Sequence, residues 1–361
     1  MRDVHAFVGT YTHGGISEGI YQIHFSGETE KLTIPEATRF REHPSFLVYD
    51  SPSRRLFSVK EVSAGRGPAG RGSGDGGGRV AMLVADEETR TKTGGFALET
   101  CDECGSLGDD PCHLFYDSRR KRVVVANYGS GGVAVIAVED RRLEAIQGIQ
   151  HKGSSVDKSR QEGPHAHSAT PDPTGDFVLV CDLGLDEILV YRWKEDNTLD
   201  EKPVCRAKVP PGSGPRHFAF HPNGRYGYVA NEMGNTVTMF EYDSRGTLEA
   251  KQTFATLPES YSGVSSTADI HTTKDGGKLY ISNRGHDSVT VFVIDENTGS
   301  LTLDSHIASG GATPRNFALS PDGAFIFTAN QDSDSIVVTR LSTSTQVASI
   351  SIPKPVCIEI T

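Results

Sequence analysis

The stretch "GPRHFAFHPNGRYGYVANE" (residues 214–232) reads as an alternating apolar strand, a polar turn with glycine, and a second strand that ends in Asn-Glu. Five further stretches follow this pattern in the same register: "HAHSATPDPTGDFVLVCDL" (165–183), "TPRNFALSPDGAFIFTANQ" (313–331), "STADIHTTKDGGKLYISNR" (266–284), "DPCHLFYDSRRKRVVVANY" (110–128) and, more weakly, "HPSFLVYDSPSRRLFSVKE" (43–61). Successive copies start roughly 50 residues apart, a spacing typical of four-stranded propeller blades. The chain is therefore a repeat protein.

Each copy is followed by a third apolar strand and a short fourth one, and helical periodicity is nearly absent. The N-terminus begins in the middle of a repeat, whereas the C-terminus ends on an unmatched strand, "PVCIEIT" (355–361). We predict an all-β, seven-bladed β-propeller with four antiparallel strands per blade, closed because the N- and C-terminal strands share a blade. Residues 1–361 then form a single domain, with a Gly-rich loop insertion at 64–78 in the second blade.

Composition limits the function classes. The formal net charge is -11 and no cluster of basic residues is present, so nucleic acid is not an expected partner. No stretch approaches 18 consecutive apolar residues, so we expect no membrane partner. The N-terminus enters a strand pattern at once, without a targeting signal, and six cysteines are too few for a disulfide scaffold. We expect a cytoplasmic protein that is a monomer or a weak homo-oligomer.

Two positions of the repeat vary in their chemistry from copy to copy. The first, at the start of the inner strand, is occupied by Cys112, His167, Arg216, Ala268 and Arg315. The second, directly after the Asn or Asp that ends the next strand, is occupied by Tyr128, Leu183, Glu232, Arg284 and Gln331. Because the two strands are antiparallel neighbours, both positions fall on the same rim of the blade, around one mouth of the central channel.

Blades four to six are therefore predicted to bring His167, Arg216, Glu232 and Arg284 to one cavity. Rim ion pairs without a function are one interpretation, since surface pairs are common and weak. We favour a functional site, because these charges occupy slots that other copies fill with Ala, Leu, Cys or Tyr. The recurring Asn position is assigned to turn hydrogen bonds.

The residue types suggest an anionic substrate and acid/base chemistry. Arginine side chains form a fixed cradle for carboxylate or phosphate, and Arg216, Arg284 and Arg315 are the candidates for substrate binding. His167 and Glu232 are the groups able to carry protons near neutrality. No Ser or Cys nucleophile with a base emerges, which favours attack by water or intramolecular proton transfer.

Other motifs fit less well. His165 and His167, two apart on a predicted strand, could bind a metal with Glu232, but we expect no metal and no cofactor, with His165 as a structural or substrate-binding neighbour. Cys101 and Cys104, followed by Cys112-His113, lack the second half of a zinc site and are interpreted as loop thiols. The G-x-G-x-x-G runs of 64–78 lack a following helix. Ser17, in "GISEG", is placed in a hairpin turn and not in a nucleophile elbow.

The repeats, the stretch "QEGPHAHSATPDPTGDFVLVCDLGLD" (161–186) and the N-terminal "FVGTYT" (7–12) resemble the seven-bladed propeller lactonase family over nearly the whole chain. This family includes propeller-type 6-phosphogluconolactonases and the fungal carboxy-cis,cis-muconate cyclases. The site proposed for the cyclase branch is a His, two Arg and a Glu, and carried over by motif these are His167, Arg216, Glu232 and Arg284.

The resemblance implies a lactonase that opens a small anionic sugar lactone, with 6-phosphogluconolactone as the leading substrate. In that reaction the arginines hold the anion, and Glu232 or His167 activates water. A cycloisomerase that closes a carboxymuconate to its lactone is the alternative enzyme, because both directions share a charge distribution. A non-catalytic propeller that binds a small anion or a protein partner is the alternative from another class.

Overall fold

Seven four-stranded antiparallel sheets make up the computed structural model, which describes residues 3–40, 42–64, 77–90 and 95–361, without the side chains of 86–90. The first blade contains β1 (Val4–Thr10), β2 (Gly19–Ser26), β3 (Lys31–Arg39) and, as its innermost strand, β28 (Pro355–Ile360). The second contains β4 (Leu47–Asp50), β5 (Arg55–Lys60), β6 (Arg79–Arg90) and β7 (Phe96–Gly105). The third contains β8 (Pro111–Asp117), β9 (Arg122–Asn127), β10 (Gly132–Glu139) and β11 (Arg142–Gln150).

The remaining four blades repeat this order from the channel outwards. The fourth contains β12 (Ala166–Pro171), β13 (Phe177–Asp182), β14 (Glu187–Arg192) and β15 (Cys205–Lys208). The fifth contains β16 (Pro215–Phe220), β17 (Tyr226–Asn231), β18 (Thr236–Asp243) and β19 (Thr247–Ala255). The sixth contains β20 (Ser266–Thr272), β21 (Lys278–Arg284), β22 (Ser288–Ile294) and β23 (Leu301–Ala308). The seventh contains β24 (Pro314–Leu319), β25 (Phe325–Asn330), β26 (Ser335–Arg340) and β27 (Thr345–Ser351).

The ring closes as predicted, because the C-terminal strand β28 pairs with the N-terminal strand β1. Ala6 lies opposite Ile360 and Val8 opposite Ile358 in this antiparallel pair. The two ends of the chain thus share the first blade, which gains its fourth strand from the C-terminus and closes the ring. The seven-bladed architecture is confirmed. Over the described ranges, the helical elements are two short 3-10 turns, His13–Gly15 and Gln331–Ser333, and no helix is long and apolar enough to cross a membrane.

The hydrophobic core lies between neighbouring blades, on both faces of each sheet. Strand β13 reads "FVLVCD", and all six of its residues are buried. Its Val178 and Val180 pack into a cluster with the third blade, whereas Leu179 and Cys181 pack into a cluster with the fifth. Fully burying a Val or Leu side chain contributes roughly 1.5–3 kcal/mol, so each inserted strand stabilises two interfaces.

The repeated turn with glycine has a steric cause. In the fourth blade Gly175 adopts a φ of 75°, a left-handed conformation that a side chain disfavours. Asp172 anchors the same turn, because its carboxylate accepts hydrogen bonds from the backbone N–H groups of Thr174 at 3.1 Å and of Phe177 at 2.8 Å. The hairpin between inner and second strands is fixed in this way.

The Gly-rich segment 64–78 connects β5 to β6, and Lys60 pairs with Arg79 at the base of this connection. Residues 65–76 lie outside the described residues, so the interpretation of the G-x-G-x-x-G runs is not tested. The two flanking residues are held close together: the backbone N–H groups of Ala64 and Gly77 both donate to Asp109 Oδ1, at 2.8 and 3.0 Å.

Two local predictions are wrong and a third is confirmed. Cys101 and Cys104 lie on strand β7 and not in a loop, because the fourth strand of the second blade extends further than the pattern indicated. His165 precedes β12 and is not part of that strand. Ser17 lies between a 3-10 turn and β2, where its Oγ is 2.6 Å from Thr10 Oγ1, so the predicted hairpin position is confirmed.

Candidate active site at the channel mouth

In the third, fourth, fifth and seventh blades, a register shift at the start of the inner strand leaves one residue without an opposite partner. The shifts fall between Pro111 and His113, Ala166 and Ser168, Pro215 and His217, and Pro314 and Asn316. The residues that are skipped are those of the first variable position: Cys112, His167, Arg216 and Arg315. A β-bulge redirects the side chain that it carries, and bulges are common beside active sites. The repeat thus builds a ring of redirected side chains at the channel.

Glu232 is the centre of an ion-pair cluster at this mouth. Its Oε2 lies 3.1 Å from Arg216 Nε, 2.9 Å from Arg284 Nη2 and 3.9 Å from His167 Nε2. The Glu232 side chain is 9% exposed, so these contacts form in a largely dehydrated environment. The structure therefore brings together all four residues that the sequence assigned to one cavity.

The two paired arginines are also held by backbone carbonyls. Arg216 Nη1 donates to the carbonyl of Ala268 at 2.8 Å, and Arg284 Nη2 donates to the carbonyl of Thr267 at 2.9 Å. Within the described part of the chain, the buried Nε of Arg284 has no hydrogen-bond partner. A buried donor without an acceptor is costly, and an anion bound nearby could satisfy it.

Known proteins resemble this chain over nearly its whole length. The family described as "Lactonase, 7-bladed beta-propeller" matches residues 5–360. This chain belongs to that lactonase family. A 6-phosphogluconolactonase of Bacillus subtilis (strain 168) is 32% identical over 98% of this chain and 97% of its own length. A 6-phosphogluconolactonase of Formosa agariphila is 31% identical over 94% and 93% of the two chains. The solved structure of a periplasmic gluconolactonase of Pseudomonas aeruginosa superposes with a TM-score of 0.86, at 30% identity and 99% coverage of both chains.

The family membership confirms the prediction of a lactonase, a hydrolase of cyclic esters. It also confirms the resemblance that the repeats and the motifs around His167 and Arg216 indicated.

Two further predicted residues of the lactonase take different positions. Arg315 lies at the same mouth with its guanidinium carbon 5.4 Å from the centroid of the Tyr11 ring. Within the described residues Arg315 has no ion-pair partner, so its charge is available to a ligand. His165 is outside the Glu232 cluster: its Nδ1 is 3.0 Å from the Tyr128 carbonyl oxygen and its ring stacks on Tyr128 at 4.7 Å.

The structure adds Arg160, which the sequence did not identify. Arg160 lies in the connection between β11 and β12, and its Nη2 donates to Glu232 Oε1 at 2.7 Å and to the Tyr128 hydroxyl at 3.2 Å. Asp157 holds this connection, since its Oδ1 accepts from the backbone N–H of Arg160 at 3.2 Å. A residue in a connection has no equivalent in the other copies, so the repeat alignment carried no signal for it.

Tyr11 and Glu61 were also missed, although a signal existed. Both directly follow the second strand of a blade, β1 and β5, and so extend the second variable position to the first and second blades. The Tyr11 hydroxyl donates to both carboxylate oxygens of Glu61, at 3.0 and 3.1 Å. The two blades were too divergent in sequence for their contribution to the ring to be recognised.

The charges around Glu232 determine its protonation. Burial by itself would raise the pKa of Glu232, but Arg284, Arg216 and Arg160 together hold that pKa well below its usual range. Burial lowers the pKa of His167 well below its usual value, and the positive charges of Arg216 and Arg315 lower it further. At neutral pH Glu232 is therefore a carboxylate and His167 a neutral imidazole.

The metal alternative is not supported by the positions of its proposed ligands. His165 Nε2 lies 3.6 Å from Glu162 Oε1, and His165 does not join His167 at Glu232. Within the ranges that the structure covers, no three His, Cys, Asp or Glu side chains are placed to hold a metal ion.

Proposed function

We propose that this lactonase hydrolyses 6-phosphogluconolactone to 6-phosphogluconate at the mouth formed by blades four to seven. The observation that carries the proposal is the charge of the site. Four guanidinium groups meet there with the two carboxylates Glu232 and Glu61, which leaves an excess of two positive charges: the arginines are Arg160, Arg216, Arg284 and Arg315. A phosphate monoester carries nearly two negative charges at neutral pH, so it matches this excess.

The names of the relatives support the same substrate class. The Bacillus subtilis and Formosa agariphila proteins are named 6-phosphogluconolactonases, whereas the Pseudomonas aeruginosa structure is named a gluconolactonase. The substrates in these names are all sugar lactones, and they differ in whether a phosphate group is present. The substrate question for this chain is therefore whether the arginines hold a phosphate, and Arg315, the arginine without an ion-pair partner, is the residue on which the answer depends.

In the proposed mechanism His167 is the general base. Protonation of Glu232 would weaken its ion pairs with three guanidinium groups, whereas His167 is neutral and has no such partner at bonding distance. A water molecule gives its proton to His167 and adds to the lactone carbonyl. The resulting oxyanion is stabilised by the guanidinium groups of the mouth. The ring C–O bond then breaks, and the leaving oxygen takes up the proton to give the hydroxy acid.

The test is the consumption of freshly generated 6-phosphogluconolactone, corrected for its spontaneous hydrolysis, in parallel with unphosphorylated gluconolactone. We expect Arg315→Gln to lower kcat/KM for the phosphorylated lactone about 10- to 100-fold, because a charge-assisted hydrogen bond contributes about 1.5–3 kcal/mol. The rate on gluconolactone should change much less. Arg216→Ala should lower both rates, and Arg192→Gln, at an exposed arginine on β14, is the matched control.

Equal losses on both lactones in Arg315→Gln would show that Arg315 does not recognise a phosphate. No acceleration of either lactone by the wild type would contradict the proposed substrate and direct the search to carboxymuconate cyclisation or to anion binding without turnover.

We also propose a cytoplasmic location and a monomeric or weakly associated state. All six cysteines are free thiols, which suits a reducing compartment. Cell fractionation and size-exclusion chromatography measure these two properties directly, and a periplasmic fraction or a stable oligomer would contradict them.

A further inference from the structure

The side of Arg216 that faces away from Glu232 contacts a second group of buried polar residues. Arg216 is 2% exposed, and its Nη1 lies 3.1 Å from Nε2 of the adjacent His217. A guanidinium nitrogen can only donate hydrogen bonds. The contact is therefore favourable only if His217 Nε2 carries no proton and accepts.

The neighbouring carboxylate determines which nitrogen of His217 is protonated. His217 Nδ1 lies 2.8 Å from Asp269 Oδ1, and Asp269 is 3% exposed. Burial would raise the pKa of Asp269, but its contacts with His271 and His217 hold that pKa well below its usual range. Burial and the charge of Arg216 lower the pKa of His217 to about 4. A neutral imidazole beside a carboxylate places its proton on Nδ1, which leaves the lone pair on Nε2 for Arg216.

Asp269 is itself fixed from several directions. Its Oδ2 accepts from Asn316 Nδ2 at 2.6 Å and lies 2.9 Å from His271 Nε2. The backbone N–H of Ile270 donates to Oδ1 at 3.0 Å. These donors come from the inner strands of the sixth and seventh blades, β20 and β24, whereas Arg216 and His217 belong to β16 of the fifth. The orientation of the carboxylate is thus set by the ring of blades.

We propose that Asp269 and His217 are positioning residues that orient the Arg216 guanidinium toward Glu232 and the substrate anion. Asp269 selects the Nδ1–H form of His217, and His217 Nε2 accepts one guanidinium hydrogen. Arg216 Nε is then directed to Glu232 Oε2. The inference rests on the proposed function for its effect on catalysis, because it deepens the role of Arg216 in that site. Both residues act through Arg216.

Three variants test the chain of contacts by activity. Asp269→Asn preserves shape, but in either orientation of the amide an N–H group faces another donor, either His217 Nδ1–H or Asn316. His217→Leu removes the acceptor for Arg216. His217→Gln supplies a carbonyl oxygen that accepts from Arg216 and an amide that donates to Asp269. We expect kcat/KM to fall about 10- to 100-fold in Asp269→Asn and His217→Leu, as for a misplaced substrate-positioning group, and His217→Gln to recover most of the loss.

His221→Leu is the matched control, because His221 is also a buried histidine of the fifth blade, 5% exposed. Its Nε2 donates to the Gly276 carbonyl at 3.0 Å, in a contact between the turns of two blades and away from the mouth. A variant that only disturbs packing should resemble His221→Leu. Wild-type kcat/KM in His217→Leu, or equal losses in His217→Gln and His217→Leu with both folded, would overturn the proposal.

Two measurements do not depend on turnover and separate this proposal from the proposed function. In histidine-labelled wild-type protein, ¹⁵N shifts should identify His217 as the Nδ1–H form, with its signal assigned from its loss in His217→Gln. Binding of inorganic phosphate, measured by calorimetry, should weaken about tenfold in His217→Leu and stay unchanged in His221→Leu. An inactive wild type would contradict the proposed substrate alone, whereas an Nε2–H form of His217 would contradict the positioning role alone.

Discussion

Replacing Glu232 by Gln tests whether this carboxylate holds the arginines of the mouth together. The substitution keeps the shape and removes the negative charge that three guanidinium groups share, at 2.7 Å from Arg160, 3.1 Å from Arg216 and 2.9 Å from Arg284. The Gln amide also presents an N–H group to donors. Removing one partner of a buried ion pair costs about 3–5 kcal/mol, because the remaining charge stays buried without compensation.

The expected change in melting temperature follows from the size of the chain. With an unfolding entropy of about 2 cal/mol/K per residue, a loss of about 3–5 kcal/mol in a chain of 361 residues lowers Tm by about 4–7 °C. Glu187→Gln is the control, since Glu187 pairs with Arg206, whose side chain is 46% exposed. Glu187 is itself 12% exposed, but it has one half-exposed partner in place of three, so its neutralisation should cost less than that of Glu232.

The stability difference between wild type and Glu232→Gln should depend on pH with a definite sign. The pKa of Glu232 is lower in the folded protein than its ordinary value of 4.5. A group with a depressed folded pKa stabilises the fold fully above its unfolded pKa, and this contribution is lost as the pH falls toward the folded pKa. The difference in the free energy of unfolding should therefore be constant above about pH 6 and narrow below about pH 4.5.

The assay is urea or thermal unfolding of wild type, Glu232→Gln and Glu187→Gln at pH values from about 3.5 to 8. A Glu232→Gln protein as stable as the Glu187→Gln control would refute the anchoring role. So would a difference that stays constant into the acid range. In Glu232→Gln, kcat should fall by a larger factor than KM rises, because the arginines lose their common acceptor while the site becomes more positive.

Three further predictions address other parts of the molecule. Arg160→Ala should raise KM for the lactone about tenfold with Tm nearly unchanged, because Arg160 is partly exposed, and Arg206→Ala serves as the control in steady-state kinetics. His167→Asn should lower kcat about 10²- to 10⁴-fold, because it removes the general base. Since the pKa of His167 lies well below its usual value, the wild-type rate should stay constant from about pH 6 to 8 and fall only in acid. A loss of the wild-type rate near pH 6.5 would contradict this assignment. Deleting residues 65–76 should leave Tm and activity within error of wild type, since the flanking N–H groups share Asp109, and a large loss of either would assign that segment a role.

The fold was predictable because its determinants are local and repeated. Alternating strands, the glycine turn and the terminal strand without a partner define seven blades and their closure without any long-range information. The separation of His165 from His167 was not predictable, because β12 begins only at Ala166 and the register shift at His167 breaks the strand alternation that would place the two side chains on one face. An ungapped alignment assumes continuous strands, and a bulge changes which residue belongs to the strand.

The site was predictable in part for a related reason. His167, Arg216, Glu232 and Arg284 occupy repeat positions, so the register of the copies is enough to assign them to one rim. Arg160 reaches the same carboxylate from a connection that no other copy shares, and only the path of that connection, held by Asp157, brings it there. Contacts between an irregular segment and a repeated one depend on tertiary geometry, which the repeat period of the sequence does not specify.

The different charges in one slot of the repeat have a common physical explanation. The strands before and after the slot are buried on both faces and must stay apolar to hold neighbouring blades together, whereas the slot itself lies at the end of a strand on the channel rim. The slot therefore accepts polar and charged residues that the strand interiors do not. The ring directs seven such slots to one axis, so Glu232 and Arg284 on adjacent blades face each other, with Arg284 Nη2 2.9 Å from Glu232 Oε2. Their attraction offsets the cost of removing both charges from water. Opposite charges in successive copies therefore allow charged side chains to be buried at the channel mouth.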